Sequence, residues 1–269
     1  MKKVIIILGT TISLLLIGIG IYGLVLSGDL PFLSNNKNNT GGNNNNNTVT
    51  FTMDDLKNSL ERIKNASSIG VTTSIDSNKE SNNIAATMNV DLTTKENETV
   101  ASLKGIELAH AYTVLENGEL VDYATMPMLG MTDWYRSVGT SSLDFDLSYM
   151  NLLIENISLF RIEDNVFKAL IPKEIASQIL ASSDTESTSS TEEYDTVVFG
   201  DVQTQIKLSN DKNTIDIILD YSNVIKENEE TFTKFIMTES FSNIDTTKIV
   251  VPDEVRNSAV DSSQIETGE

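Results

Sequence analysis

The chain has 269 residues, with 39 acidic residues against 19 basic ones, a formal net charge of -20 and no cysteine. The absence of cysteine excludes disulfides, thiol catalysis and Cys-ligated metal sites. Such an acidic surface repels phosphate backbones, so we expect no nucleic-acid partner.

The N-terminus carries a basic pair, Lys2 and Lys3, followed by the uncharged apolar run Val4–Leu26. As a helix rising about 1.5 Å per residue, this run can cross a bilayer core of about 30 Å. No Lys or Arg follows until Lys37. The positive-inside rule therefore predicts a cytoplasmic tip at 1–3, a single-pass transmembrane signal-anchor helix at 4–26, and an extracytoplasmic domain at the cell membrane.

A cleaved signal peptide is the alternative interpretation of the same basic start. Its apolar region usually has about 7–15 residues and ends in a small-x-small cleavage site. Here the run is longer, and Val25 and Ser27 make a poor site. Asp29 stands where a lipidated cysteine would follow Leu26-Ser27-Gly28, so we expect the helix itself to be the anchor.

Residues 27–51 contain an asparagine-rich tract with few apolar side chains. Such a segment cannot offset the entropy of ordering, so it is predicted to be a flexible linker. Residues 52–255 are then the folded domain.

The domain begins with an amphipathic helix that Thr52 or Asp54 can cap and that ends near Ala66. Alternating apolar residues then predict strands, with a hairpin turn at Asn117-Gly118. The predicted strands of this first block are Ile69–Ile75, Ile84–Leu92, Thr99–Leu108, Tyr112–Leu115, Leu120–Tyr123 and one starting at Trp134.

A helical pattern follows over Leu143–Ile157, and Pro172 begins a second short helix over Lys173–Ala181. The remaining predicted strands are Leu159–Ile162, Val166–Ile171, Val202–Leu208, Thr214–Tyr221 and Thr231–Phe241. Residues 256–269 have no periodicity and are predicted to be a disordered acidic tail. Sequential strands joined by tight turns favour an antiparallel sheet with helices on one side, an α+β domain.

Several short motifs resemble the LolA/LppX-like superfamily of bacterial extracytoplasmic proteins. They are the opening helix Asp54–Lys64, Leu115-Glu116-Asn117-Gly118, Asp133-Trp134-Tyr135-Arg136, and the segment from Phe241-Ser242-Asn243-Ile244 to Ile249-Val250-Val251-Pro252. The resemblance implies a strongly curved antiparallel sheet, an unclosed half-barrel, whose concave face is covered by helices. It also implies binding of lipids or lipoproteins in that cavity, or a sensor role. Many members are anchored through a cysteine; this chain departs from that pattern.

No sequence motif supports catalysis, so we expect no enzyme, no cofactor and no metal site. His110, the single histidine, lacks a nucleophile-elbow sequence and is interpreted as a solvent-facing or turn residue. Asp144 and Asp146 lack the further oxygens of a calcium loop and are interpreted as helix caps.

A methionine-rich stretch beside the single tryptophan is the candidate ligand-binding site. Met126, Met128 and Met131 have adaptable thioether side chains, which suit a lid over an apolar ligand next to Trp134. Phe145 and Tyr149 could close the same cavity from the following helix. Ordinary core filling is the alternative for all of them.

Two functions follow from this sequence. The first is a membrane-anchored binding protein for an apolar ligand, a lipid or an acylated peptide. The alternative is a protein-interaction or sensor module that docks another envelope protein. The two differ in whether a continuous apolar pocket lies under the helices.

Overall fold

The computed structural model describes residues 50–78, 83–139, 147–183, 196–227 and 230–262. The predicted transmembrane run 4–26 and most of the linker lie outside these residues, so both stay predictions. Within the described part of the chain, no helix is long and apolar enough to cross a membrane.

Four helices, two single 3₁₀ turns and fifteen strands are described. The helices are α1 (Met53–Lys64), α2 (Tyr149–Glu155), α3 (Lys173–Ser183) and α4 (Asp253–Ser258), and the 3₁₀ turns are Pro127–Leu129 and Ile157–Leu159. The strands are β1 (Ser68–Ser77), β2 (Ile84–Asp91), β3 (Asn97–Leu103), β4 (Ile106–Glu116), β5 (Glu119–Met126), β6 (Met131–Val138), β7 (Arg161–Glu163), β8 (Val166–Ile171), β9 (Thr196–Val198), β10 (Val202–Leu208), β11 (Ile215–Asp220), β12 (Ile225–Glu227), β13 (Glu230–Thr231), β14 (Phe235–Ser242) and β15 (Val260–Asp261).

Twelve strands form one large, curved sheet in the order β15-β6-β5-β4-β3-β2-β1-β14-β11-β10-β8-β7. The order is linear and the sheet does not close on itself. All its pairings are antiparallel except β15 with β6. The predicted α+β class with a large unclosed antiparallel sheet is confirmed at this level.

The inner face of the sheet is defined here as the one on which α1, α2 and α3 pack. It forms a bulky core over β1, β14, β11, β10 and β8, where every second side chain points inward. The members of this core that the three helices contribute are Leu56, Leu60, Ile63, Tyr149, Met150, Leu153, Ala176 and Ile179. They pack with sheet residues such as Phe167, Ile206, Ile217 and Phe241. At about 25 cal/mol per Å² of buried apolar area, this layer is the main source of stability.

Helix α1 begins at a capping box formed by Thr52 and Asp55. The Asp55 backbone N–H donates to Thr52 Oγ1 over 3.2 Å, and the Thr52 backbone N–H donates to Asp55 Oδ2 over 2.9 Å. Of the two caps expected from the sequence, Thr52 is therefore the one used. The Asp55 carboxylate also forms an ion pair with Lys212, which ties the helix to the turn before β11.

The outer face, opposite α1–α3, carries a C-terminal segment over strands β4–β6. Val251 and Val255 are buried there against Tyr112, Val114, Val121 and Tyr123. The Glu116 carboxylate, 18% exposed, accepts hydrogen bonds from Tyr123 Oη and Arg136 and forms an ion pair with Arg256 of α4. The structure describes α4 to Ser258 and β15 at Val260–Asp261, and the predicted disordered tail at 256–269 stays a prediction. The sequence pattern is too short to reveal α4, which relies on tertiary contacts.

The structure corrects three predicted elements. The run Thr99–Leu108 is not one strand, because Lys104 and Gly105 adopt φ of 51° and 79° and turn the chain between β3 and β4. Thr231–Phe241 is also divided, since Glu230–Thr231 pairs in a separate small sheet with β12 and β9. The helix predicted over Leu143–Ile157 is described only as Tyr149–Glu155, and its first residues lie outside the described chain.

Candidate functional site

Small side chains line the inner face at β3–β6, outside the apolar core that α1–α3 form with the rest of the sheet. The apolar core that contains α1–α3 includes no residue of β3–β6. A second cluster lies there instead, and its buried members are Ala101, Ala109, Ala111, Ala124 and Met126. The sheet therefore changes from bulky to small inward-facing residues at β2. The five buried members of this cluster are between 2% and 8% exposed, so other side chains already cover this part of the inner face.

The strand register orders these residues into rows that cross the sheet. One row, called here the alanine row, runs Ala109, Ala101, Ala86, Thr73, Glu239 on β4, β3, β2, β1 and β14. With strands about 4.8 Å apart, the row is roughly 19 Å long. It begins beside the methionines and ends at a carboxyl group.

That carboxyl group lies at the border of the helix-packed core. Glu239 is 7% exposed and accepts a hydrogen bond from the Tyr149 hydroxyl of α2. Burial raises the pKa of Glu239 to about 7, against the lowering effect of the Tyr149 hydrogen bond. Burial, followed by the charge of Glu239, also raises the pKa of Tyr149 and of Tyr221. The alanine row thus ends at Glu239, a carboxyl group whose pKa burial raises to about 7.

Met126 and Met131 are brought together by the pairing of β5 with β6. Met126 is buried, and Met131 packs against the same cluster as Ala111 and Ala124. The Thr125 hydroxyl donates to the Met131 carbonyl over 2.9 Å and fixes this end of the hairpin. Met128 differs, because it lies in the intervening 3₁₀ turn and is 63% exposed.

Trp134 lies on the outer face, away from the two paired methionines. Its ring centroid is 5.2 Å from that of His110 and 5.7 Å from that of Tyr112. The structure therefore does not bring Trp134 together with Met126 and Met131 in one lid. Tyr149 faces the inner side from α2, at the other end of the alanine row, and Phe145 lies outside the described residues. Ligand binding by these candidate residues, the three methionines, Trp134, Phe145 and Tyr149, stays a prediction.

His110 belongs to this aromatic cluster rather than to a turn. Its side chain is 19% exposed, and its Nε2 lies 3.2 Å from Glu98 Oε1. The hydrogen bond from His110 is the main reason why the pKa of Glu98 is lowered. The interpretation of His110 as solvent-facing or turn-located is thus wrong, because β4 extends to Ile106 and places it within a strand. Asp144 and Asp146 lie outside the described residues, among which no cluster of His, Asp or Glu could hold a metal ion.

The sequence pattern alone did not single out Glu239. It also did not single out the buried polar residues Asn97, Thr113 and Asp122 on β3–β5. The signal for Glu239 is an acidic residue at an inward position of a clean alternation, Phe235, Met237, Glu239, Phe241. A charged side chain in such a position is rare unless it has a partner. The partner, Tyr149, is distant in sequence and could not be inferred from β14.

No known family model matches the chain, and no curated protein matches its sequence. Among solved structures, it is similar to the Mycobacterium tuberculosis lipoprotein LppX, with 10% sequence identity and a TM-score of 0.38. The match covers 74% of this chain and 97% of LppX. With 10% identity and a TM-score of 0.38, this similarity carries no conclusion about the function of the chain.

Proposed function

We propose that this chain is a membrane-anchored extracytoplasmic binding protein for an apolar ligand, a lipid or an acylated peptide. The observation that supports the proposal is the contrast along the inner face. One half carries large side chains packed under α1–α3, and the other carries alanine and threonine with no helix of the described chain in its cluster. A non-catalytic role agrees with this arrangement, in which apolar and small residues predominate.

The anchoring part of the proposal comes from the sequence. Lys2 and Lys3 before the apolar run Val4–Leu26 set the orientation, and the asparagine-rich linker holds the domain close to the bilayer. A binding site near the membrane surface can exchange a lipid with that membrane without crossing an aqueous compartment.

The ligand is expected to lie along the alanine row, between the paired methionines and Glu239. Methionine adapts its shape to an irregular acyl chain. Each methylene that leaves water contributes about 0.8 kcal/mol, so burial of an acyl chain along the row would favour binding.

A large side chain in the alanine cluster, next to the alanine row, tests this function. Ala111→Phe places a ring on the inner face, whereas Ala85→Phe places the same ring on the outer face of β2. Organic extracts of the purified full-length proteins, examined by mass spectrometry, should contain a lipid for the wild type and for A85F but not for A111F. If Ala111 instead lies in a filled core, A111F should cost about 1–3 kcal/mol of stability. A wild-type protein without any bound lipid would refute the proposal.

A second function, docking of another envelope protein, is favoured by the edge of the sheet at β7. Among the described residues, this strand is the last in its sheet; Ile162 within it and Leu159 just before it are 38% and 40% exposed. An unpaired edge with apolar side chains can accept an extended segment of a partner. A photo-crosslinking residue at Ile162 should then capture one protein in intact cells that the same probe at Leu115, 50% exposed, does not.

A further inference from the structure

The last strand of the large sheet has a charge pattern that is complementary to itself in antiparallel pairing. Strand β7 consists of Arg161, Ile162 and Glu163, with a cation and an anion on either side of one apolar residue. Among the described residues, only β8 pairs with this strand, and its other side is open. An open strand edge of this kind can accept one further strand.

The turn after β7 decides which backbone groups face the open side. Both turn residues, 164 and 165, have positive φ, 53° and 62°, as in a two-residue type I′ hairpin. Glu163 and Val166 close that turn and exchange backbone hydrogen bonds, and such pairs alternate along an antiparallel ladder. The N–H and C=O of Ile162 therefore point away from β8, and within the described part of the chain no backbone group bonds to them.

The side chains of β7 are accessible, and one of its charges is only partly balanced. Ile162, 38% exposed, is paired with the buried Phe167 and so lies on the inner face, whereas the side chains of Arg161 and Glu163 lie on the outer face, 77% and 41% exposed. Arg161 stands directly opposite Lys168 of β8. These two cations share one carboxylate, Glu163, at 2.7 Å and 3.0 Å. Like charges directly opposite each other destabilise a sheet, so a second carboxylate beside Arg161 would be favourable.

We infer that the open edge of β7 pairs antiparallel with the same edge of a second copy of this chain, about a two-fold axis at Ile162. In this register, Arg161 of each copy lies opposite Glu163 of the other on the outer face. The two Ile162 side chains meet on the inner face, and the two Ile162 backbones exchange two hydrogen bonds at the axis. One contact of this kind satisfies both arginines and both open backbone positions at once.

This inference does not depend on ligand binding, and it makes a copy of the chain, rather than another envelope protein, the partner at this edge. A three-residue strand gives a small interface, so we expect weak and reversible association. Two copies of net charge -20 repel each other at long range, but at 0.15 M salt charges are screened beyond about 8 Å. The contacts at the edge then decide whether the copies pair.

Single engineered cysteines test the register, because the chain has none of its own. Hydrogen-bonded residues across an antiparallel ladder have Cα atoms about 5.5 Å apart, within reach of a disulfide. Full-length Ile162→Cys, oxidised in its membrane at 0.15 M salt, should therefore give a covalent homodimer on a non-reducing gel. Leu115→Cys is the control, because Leu115 is 50% exposed but lies on β4, away from this edge. No more dimer for I162C than for L115C would overturn the inference.

Two flanking cysteines make the test specific for the two-fold register. Arg161→Cys and Glu163→Cys should each form little disulfide alone, because each residue is offset from its own copy along the strand. Co-expressed, they should form a mixed covalent dimer, because position 161 lies opposite position 163 of the other copy. As much dimer from either variant alone as from the mixture would contradict the register. If a photo-crosslinker at Ile162 captures a different protein and no second copy, the inference also fails, while binding of an apolar ligand is unaffected.

Exchanging the charges tests the complementarity. In the I162C background, Arg161→Glu and Glu163→Arg each place like charges across the edge. Each should lower the initial rate of cross-linking by roughly threefold to thirtyfold, because two symmetric pairs are lost. The double variant with both exchanges restores opposite charges and should recover the rate. Lys57→Glu is the matched control, since it changes the net charge as Arg161→Glu does at a side chain of α1 that is 51% exposed. Equal rates in all variants, or no recovery in the double variant, would contradict the inference.

Discussion

The carboxyl group of Glu239 makes the stability of this domain depend on pH in a direction opposite to that of most carboxylates. Its pKa is raised from 4.5 to about 7 in the folded protein, chiefly because burial disfavours the charged form. A raised folded-state pKa contributes stability that is fully present below about 4.5 and is lost as the pH rises through 7. Between pH 4.5 and 7 the unfolded chain has released this proton and the folded chain has kept it, so raising the pH lowers the free energy of unfolding.

Glu239→Gln removes this titration while keeping the size of the side chain and an oxygen for the Tyr149 hydroxyl. One pKa unit corresponds to about 1.4 kcal/mol, so the buried charge costs on the order of 3 kcal/mol at alkaline pH. The glutamine variant should therefore be more stable than the wild type by up to about 3 kcal/mol near pH 8, and equal to it near pH 4.5.

Urea unfolding followed by the fluorescence of Trp134, the single tryptophan, measures this difference at several pH values. Other groups titrate equally in both proteins, so subtracting the two curves isolates Glu239. Glu174→Gln is the matched control, because its side chain is 68% exposed and such a change should stay within about 0.5 kcal/mol. A stability difference between E239Q and wild type that is the same at both ends of the pH range would refute the reasoning.

Three further predictions concern single contacts. Tyr149→Phe removes the hydrogen bond that lowers the pKa of Glu239, so urea unfolding should show a loss of about 1–3 kcal/mol near pH 8 and a smaller loss near pH 5. Glu116→Gln weakens the ion pair with Arg256, and hydrogen exchange should accelerate in α4 while β11 stays protected; equal acceleration in both would contradict a local role. Thr52→Ala removes half of the capping box and should cost about 1 kcal/mol, measured as a lower urea midpoint with an unchanged m value.

The parts of the fold that the sequence predicted correctly are those with an uninterrupted local signal. Helix α1 has a cap, Thr52, and apolar residues on one face. Strand β11 alternates buried and half-buried residues over Ile215–Asp220 without a break. In both cases the decisive contacts lie on a face that the period of the sequence identifies, so no distant partner had to be known.

The errors arose where a turn or a tertiary contact decides the structure. Lys104-Gly105 divides one apolar run into β3 and β4, and only the positive φ of both residues reveals the turn. Trp134 and the methionines are close in sequence, yet β6 alternates and sends Trp134 to the outer face. Closeness in sequence predicts a shared site poorly in a strand, because neighbouring side chains point to opposite faces.

The position of Glu239 links the two halves of the inner face. Its strand neighbours Met237 and Phe241 belong to the helix-packed core, while its cross-strand neighbour Thr73 continues toward the alanines. A large apolar side chain at this position would extend the core at no electrostatic cost, and buried ionisable groups are often replaceable in this way. The carboxyl group of Glu239 thus contacts both α2, through the Tyr149 hydroxyl, and the end of the alanine row, through its pairing with Thr73. Under the proposed function, a ligand that changes the solvation of that end would also change the pKa of Glu239.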